Sequence, residues 1–270
     1  MPRLGVARPR RRRHLTVMHA VETFFDAVVR GSVGEAEEHL ADETAIDDPR
    51  TGRIAGRDPV KRWISGAHGW FAALDARAEP VRAIVDGRNA VVERLLRVRA
   101  DGEERELPVA VAAEADERGL LRAVRIYHSF WTVDRVHRLR GPVLPAREDL
   151  ALAPPVKAHH EALARGDVEG VLACYQRNAT VREPAGEPWV HRGPRGLRRL
   201  FGTMFANGGG IALEHGNVVD DGVACALEYT VVRWGRTRVP AQAGLAVYER
   251  GATGLIRSAR IYDDVDPPRE

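Results

Sequence analysis

Cysteine is almost missing from this chain, with only Cys174 and Cys225 in 270 residues. Two lone thiols without metal-ligand spacing argue against a disulfide framework. Both sit among apolar neighbours, where cysteine serves as a small buried hydrophobe, and a reduced, cytoplasmic setting is expected. Long apolar runs are missing as well. None approaches the ~20 residues needed to cross a bilayer, so no membrane partner is expected. The order of residues gives no Ser-His-Asp or Cys-His arrangement and no paired metal-ligand spacing. Gly208-Gly209-Gly210 lacks phosphate-loop spacing and reads as a turn. Neither a metal nor a cofactor is expected.

Positive charge is plentiful but concentrated. The chain carries 41 Lys+Arg against 38 Asp+Glu, and Arg3, Arg8, Arg10, Arg11, Arg12 and Arg13 supply six of the positives. Without those six the body has 35 basic residues against 38 acidic ones, so its charge is near −3. A folded basic surface for nucleic acid is therefore not expected. Residues 1–17 read as a basic disordered arm, the one part that could hold nucleic acid. Their lack of an apolar segment argues against a secretory signal, and Met18 is an alternative start.

A repeat organises the rest. "AVVRGSVGEAEEHL" (27–40) and "ALARGDVEGVLACY" (162–175) match at an offset of 166 − 31 = 135. The same offset pairs Pro49 with Pro184, Asp86-Gly87 with Asp221-Gly222, Glu93 with Glu228, and "LRAVRIY" (121–127) with "IRSARIY" (256–262). The chain reads as two copies of one domain, 18–137 and 154–267, joined by a Pro-rich, charged linker at 138–153. In copy two, "VKAHHEALAR" has helical spacing and stops at Gly166. Asp167 then caps a helix with Val168, Val171, Leu172 and Tyr175 on one face. A short strand, "ATVRE", a loop through His191, a helix over 194–205 and four strands follow. The expected fold is α+β: two tandem cone-shaped domains, each of three helices on a curved antiparallel sheet. A bent sheet closed by helices leaves a conical cavity suited to a small apolar ligand.

This order of elements resembles the nuclear transport factor 2-like superfamily, which includes SnoaL-like polyketide cyclases and ketosteroid isomerases. The segment "RGDVEGVLACYQRNATVREPAGEPWVHRGPRGLRRLF" is similar to the ketosteroid isomerase pattern of Gly-Asp, a helix, then Ala-Thr-Val-acid-acid-Pro. "RGSVGEAEEHLADETAIDDPRTGRIAGRDPVKRWI" carries it more loosely in copy one. The resemblance implies that the acid before the proline, Glu183 or Asp48, is a general base moving a proton alpha to a carbonyl. Ketosteroid isomerases also use a tyrosine and a protonated aspartate as oxyanion donors. The tyrosine position falls here on His159 and Phe24, the aspartate position near Gly244 and Ala112. Losing one such donor typically costs about a hundredfold or more in rate, so ordinary steroid isomerisation is disfavoured. SnoaL-like cyclases imply instead an acid–base residue late in the last strand, which points to Asp263 after Tyr262, with His128 at the same place in copy one.

Each candidate has a plainer reading. Glu183 is equally a solvated loop carboxylate. Asp48, with Asp47 and Arg50 beside it, fits an exposed turn ion pair. His191 either orients Glu183, as a shuttle active near neutral pH, or is a surface residue. His159 is a cavity residue on the resemblance alone, and Trp189 and Tyr229 are cavity-lining or core aromatics. Glu93, Glu228, Arg125 and Arg260 read as structural cross-strand ion pairs. The function expected is a pocket for an apolar small molecule, acting by cofactor-free proton transfer with Glu183 as base and Asp263 or His191 assisting. Copy one is then the weaker partner of an intrachain pseudo-dimer. The alternative is a non-catalytic binding module of the same shape.

Overall fold

The computed structural model describes residues 9–265. The first eight residues of the expected basic arm lie outside the described residues, and from Pro9 the rest of it is helical and continues into the first helix of copy one, not the disordered segment expected. Copy one runs α1 (Pro9–Arg30), α2 (Val33–Glu37), β1 (Leu40–Asp48), β2 (Gly52–Ala55), α3 (Arg57–Ala73), β3 (Arg77–Asp86), β4 (Asn89–Ala100), β5 (Glu103–Ala115) and β6 (Leu121–Tyr127). A short helix, α4 (Trp131–Asp134), follows. Copy two repeats the plan with α5 (Pro154–Arg165), α6 (Val168–Ala173), β7 (Tyr175–Arg182), β8 (Val190–Arg192), α7 (Gly193–Met204), β9 (Ile211–Asp220), β10 (Ala224–Trp234), β11 (Gln242–Arg250) and β12 (Ile256–Asp263).

Each copy is an α+β domain with a six-stranded sheet, ordered β2-β1-β6-β5-β4-β3 in one and β8-β7-β12-β11-β10-β9 in the other. All neighbours are antiparallel except β1 with β6 and β7 with β12, which run parallel. The local signals act as their chemistry requires. Pro154 and Pro155 open α5, where a missing N–H costs nothing. Gly166 ends it at φ +71°, and a Cβ there would meet the Gly209 carbonyl carbon at 2.8 Å. Asp167 caps α6 by accepting from the Gly170 N–H at 2.9 Å. In α7, Leu197, Leu200 and Phe201 are buried at the i, i+3, i+4 spacing of one helix face.

Alternation along the strands gives each sheet two apolar faces. One is covered by the helices of its own copy. The other faces the second copy, where Ile84, Val91, Ala110 and Ala112 share a cluster with Val219, Ala226, Leu245 and Val247. Small alanines let the backbones of the two sheets approach.

Set into this apolar contact are two reciprocal ion pairs. Arg125 donates to both oxygens of Glu228 at 2.6 and 2.8 Å, and Tyr127 donates to Glu228 at 2.7 Å. Arg260 donates to both oxygens of Glu93 at 2.7 and 2.6 Å, and Tyr262 donates to Glu93 at 2.5 Å. These residues pair between copies and not across neighbouring strands of one sheet. The reason is geometric: β5 separates β4 from β6, leaving same-copy partners about 9.5 Å apart at the usual strand spacing. Burial alone would raise the Glu228 carboxyl, but the guanidinium of Arg125, with hydrogen bonds from Asn217 and Tyr127, holds it below its ordinary value. The linker is fastened too. Arg140 lies over the Tyr127 ring and donates to the carbonyls of Ile126 and Asp47, and the Arg147 N–H reaches the His215 carbonyl at 2.8 Å.

Candidate active site

Beneath the helices of copy two lies a cavity of about 310 Å³. Its wall is largely apolar and aromatic, including Tyr175, Phe201, Tyr248, Trp234 and Leu200, with Glu183, His159, Tyr229 and Asp263 as polar groups. Two smaller hollows in copy one, about 60 and 40 Å³, are lined by neither Asp48 nor His128.

One acid–base pair comes from β10 and β12, with β11 between them. Tyr229 is opposite Gly244, and Gly244 is opposite Asp263. A Cβ on Gly244 would meet the Tyr229 ring at 2.6 Å, so glycine is what allows the ring to lie across β11. Its hydroxyl then donates to Asp263 Oδ2 at 2.7 Å. The position near Gly244 that supplies no side-chain donor thus makes room for a hydroxyl from the next strand. Burial raises the Asp263 carboxyl to about 6, against the Tyr229 hydrogen bond, which lowers it. Burial also pushes the Tyr229 hydroxyl well above its ordinary value, which keeps it a proton donor.

At another part of the wall, Glu183 is held in a tight loop. Its N–H donates to the Trp189 carbonyl at 2.9 Å, and its carbonyl accepts from Gly186 at 3.1 Å. His191 Nε2 lies 2.5 Å from Glu183 Oε1. The carboxylate lines the cavity while the imidazole, on β8, supports it from outside. Trp189 stands at this rim, 45% exposed. His159, on α5, is 3% exposed and meets Tyr175 and Tyr248 at ring-centroid distances of 5.4 and 5.3 Å. Burial lowers it to about 3, so it stays neutral, and its Nδ1 has no hydrogen-bond partner within the protein.

Three candidates lie elsewhere. Tyr262 points to the other face of β12 from Asp263, as strand alternation demands, and its hydroxyl is committed to Glu93 between the copies. It does not line the cavity. Asp48 is 4% exposed and not an open turn residue. It accepts from Trp63 Nε1 and from Thr51 Oγ1, both at 2.9 Å, with Arg50 at 3.9 Å. His128 is stacked on Trp70 at 5.5 Å and packed on Phe130 at 4.9 Å, and burial lowers it to about 4.

Residues from copy one also reach this wall: Ser129, Trp131 and His137. They were not anticipated, although the offset of 135 that pairs the two "RIY" strands also pairs Ser129 with Asp264. That acid accepts from Ser129 Oγ at 2.6 Å and from the Arg138 N–H at 2.7 Å. Among the described residues no group of three or more His, Cys, Asp or Glu could hold a metal ion. No helix among them is long and apolar enough to cross a membrane.

Comparison with protein families finds a model described as a SnoaL-like domain, matching residues 21–124 and again 156–259. Among solved structures, the chain is similar to a proposed ketosteroid isomerase of Kribbella flavida, at 21% identity and a TM-score of 0.36, over 52% of this chain and 90% of that one. It is similar to a proposed polyketide cyclase of Sinorhizobium meliloti, at 24% identity and a TM-score of 0.33, over 40% of this chain and 93% of that one. An epoxide hydrolase of M. tuberculosis, described as LEH-like, is similar at 19% identity and a TM-score of 0.35, over 42% of this chain and 83% of that one. Curated proteins give no match.

Proposed function

The chain belongs to the SnoaL-like domain family twice over, and from that premise we propose that copy two is an acid–base enzyme acting on an apolar carbonyl compound. The observation that carries the reading is the Tyr229–Asp263 pair inside a cavity of about 310 Å³ with an apolar wall. A carboxyl near 6 exchanges a proton readily around neutral pH, which is what a general base and acid requires. Asp263 suits that role better than Glu183, whose side chain is 36% exposed and fixed to His191.

In the reaction, the Asp263 carboxylate takes a proton from the carbon alpha to the substrate carbonyl. The C–H electron pair moves into the enolate, whose charge rests on oxygen. Neutral His159 is suited to donate a hydrogen bond to that oxygen. Two outcomes balance. Asp263 returns the proton at the far end of the conjugated system, giving an isomer, or the enolate carbon attacks a second carbonyl and the new alkoxide takes the proton, closing a ring. Glu183 with His191 is a second carboxylate able to bind or relay a proton at the rim. The two copies serve as an intrachain pseudo-dimer, a reading supported by the reciprocal Arg125–Glu228 and Arg260–Glu93 pairs.

The test is turnover of β,γ-unsaturated ketosteroids and of aromatic polyketide β-keto esters by the wild type, Asp263→Asn and Glu183→Gln. Loss of turnover in Asp263→Asn with ligand binding retained supports the assignment. Unchanged turnover removes Asp263 from the mechanism, and binding of such compounds without any product favours the binding-module reading.

A further inference from the structure

The copy-two cavity is not built by copy two alone. After β6 the chain passes through Ser129 and α4 to His137, and the Trp131 and His137 rings stack at 5.0 Å where they line the cavity. Asp264 holds this segment. Besides Ser129 Oγ and the Arg138 N–H, His137 Nδ1 lies 3.0 Å from Asp264 Oδ1. Three donors on one buried carboxylate make an anchor that the neighbouring Asp263, facing the cavity, cannot share. The loop carrying Glu183 is braced from copy one as well, since the Glu187 N–H donates to Glu106 Oε2 at 3.2 Å.

A carboxylate beside Nδ1 fixes the ring orientation and selects the tautomer with the proton on Nδ1. Nε2 is then the nitrogen left to face a ligand, and in the neutral ring it accepts a hydrogen bond. Most of the lining is aromatic and aliphatic, with Ser129, His159, Glu183, Tyr229 and Asp263 among its other polar groups. A wholly apolar role would not need a histidine held by a buried acid.

We propose that His137, contributed by copy one, is a substrate-binding residue of the copy-two site. It accepts a hydrogen bond from a hydroxyl on a fused-ring compound whose ring packs against Trp131, and Asp264 is its positioning residue. This rests on the reading that the copy-two cavity is the working site. It adds the substrate class: a fused-ring aromatic or alicyclic alcohol or enol, not a plain hydrocarbon.

The experiment measures binding of 2-naphthol and of naphthalene to the full chain by isothermal titration, using wild type, His137→Phe, His137→Gln and Asp264→Asn. His137→Phe keeps the stack on Trp131 and removes both nitrogens. It is expected to weaken 2-naphthol at least tenfold while changing naphthalene less than twofold. His137→Gln, which retains an acceptor, should recover part of the loss, and Asp264→Asn should show a smaller loss with the same selectivity. Equal weakening of both probes would make His137 only a wall, and this outcome, unchanged affinity, or no wild-type binding of either probe would each overturn the proposal. Turnover is not the readout. Selective binding with no catalysis in any assay would refute the acid–base reading and leave this one standing.

Discussion

In copy one Trp63 donates to Asp48 and stacks on Phe24 at 6.3 Å, whereas in copy two Leu200 and His159 stand at the matching places beside an open cavity. The match is legible in the burial patterns: Val60, Trp63 and Ile64 in α3 answer to Leu197, Leu200 and Phe201 in α7. Phe24 and His159 are related by the offset of 135. The copy with the larger side chains closes over its acid, and the copy with the smaller ones keeps its acids in contact with a hollow. The difference lies both in the volume of a few helix residues and in the sheet, where Arg94, Val109 and His128 stand at the offset positions of Tyr229, Gly244 and Asp263.

The largest effects should fall on catalysis. Asp263→Asn is expected to lower kcat by about 10²–10⁴-fold, the usual worth of a positioned acid or base. Asp48→Asn in copy one should leave kcat unchanged. A comparable loss from Asp48→Asn, measured in the same steady-state assay, would break the contrast between the copies. The pH profile follows from the raised Asp263 carboxyl: kcat/KM should fall as pH drops below about 6, and Asp263→Asn should lose that limb.

Next come the shared features. Glu93→Ala and Glu228→Ala each strand a buried guanidinium, which should cost about 3–5 kcal/mol. Equilibrium denaturation of both variants would test whether the reciprocal pairs are equivalent. Trp63→Ala should cost about 3–5 kcal/mol, the usual price of removing a core aromatic, while Leu200→Ala, already beside a cavity, should cost less. Denaturation midpoints of equal size for the two would contradict the filled-versus-open comparison.

Smaller still is the linkage effect of Asp263. Its folded carboxyl is raised from 3.8 to about 6, so the folded state holds the proton more tightly. Wild-type stability should therefore decline as pH rises from about 4 through 6 and then level off. Asp263→Asn should be more stable than wild type at pH 7 by about 1–3 kcal/mol and show no gain at pH 4. His159→Phe removes an unpartnered buried nitrogen and should raise copy-two stability by about 1 kcal/mol while blocking ligand. Melting curves of both variants across this pH range would test these signs.

Much of the fold was legible because it depends on patterns that local chemistry fixes. The offset of 135, the stop at Gly166 and the cap at Asp167 define the helices, and alternating residues define the strands. The parallel pairing of β1 with β6 and β7 with β12 departs from the antiparallel expectation, β8 forms where a loop through His191 was expected, and α1 begins inside the expected disordered arm. Side-chain direction was harder to read. Tyr262 was grouped with Asp263 although adjacent strand residues face opposite ways. Glu93 and Arg125 were correctly read as ion-paired, but their partners lie in the other copy, a relation that strand spacing within one sheet does not reveal. The contribution of Trp131 and His137 depends on how the two copies pack, which periodicity does not encode.

The most direct test of the account is a thermal-shift screen of steroids, aromatic polyketides and small terpenoids on the wild type and on Leu200→Trp, which places a copy-one-sized residue against the copy-two cavity. A ligand at a hundred times its dissociation constant adds about 2.7 kcal/mol. The account predicts that at least one class raises the melting transition of the wild type and that Leu200→Trp abolishes the shift while remaining folded. No shift from any class, or a shift that survives Leu200→Trp, would contradict it.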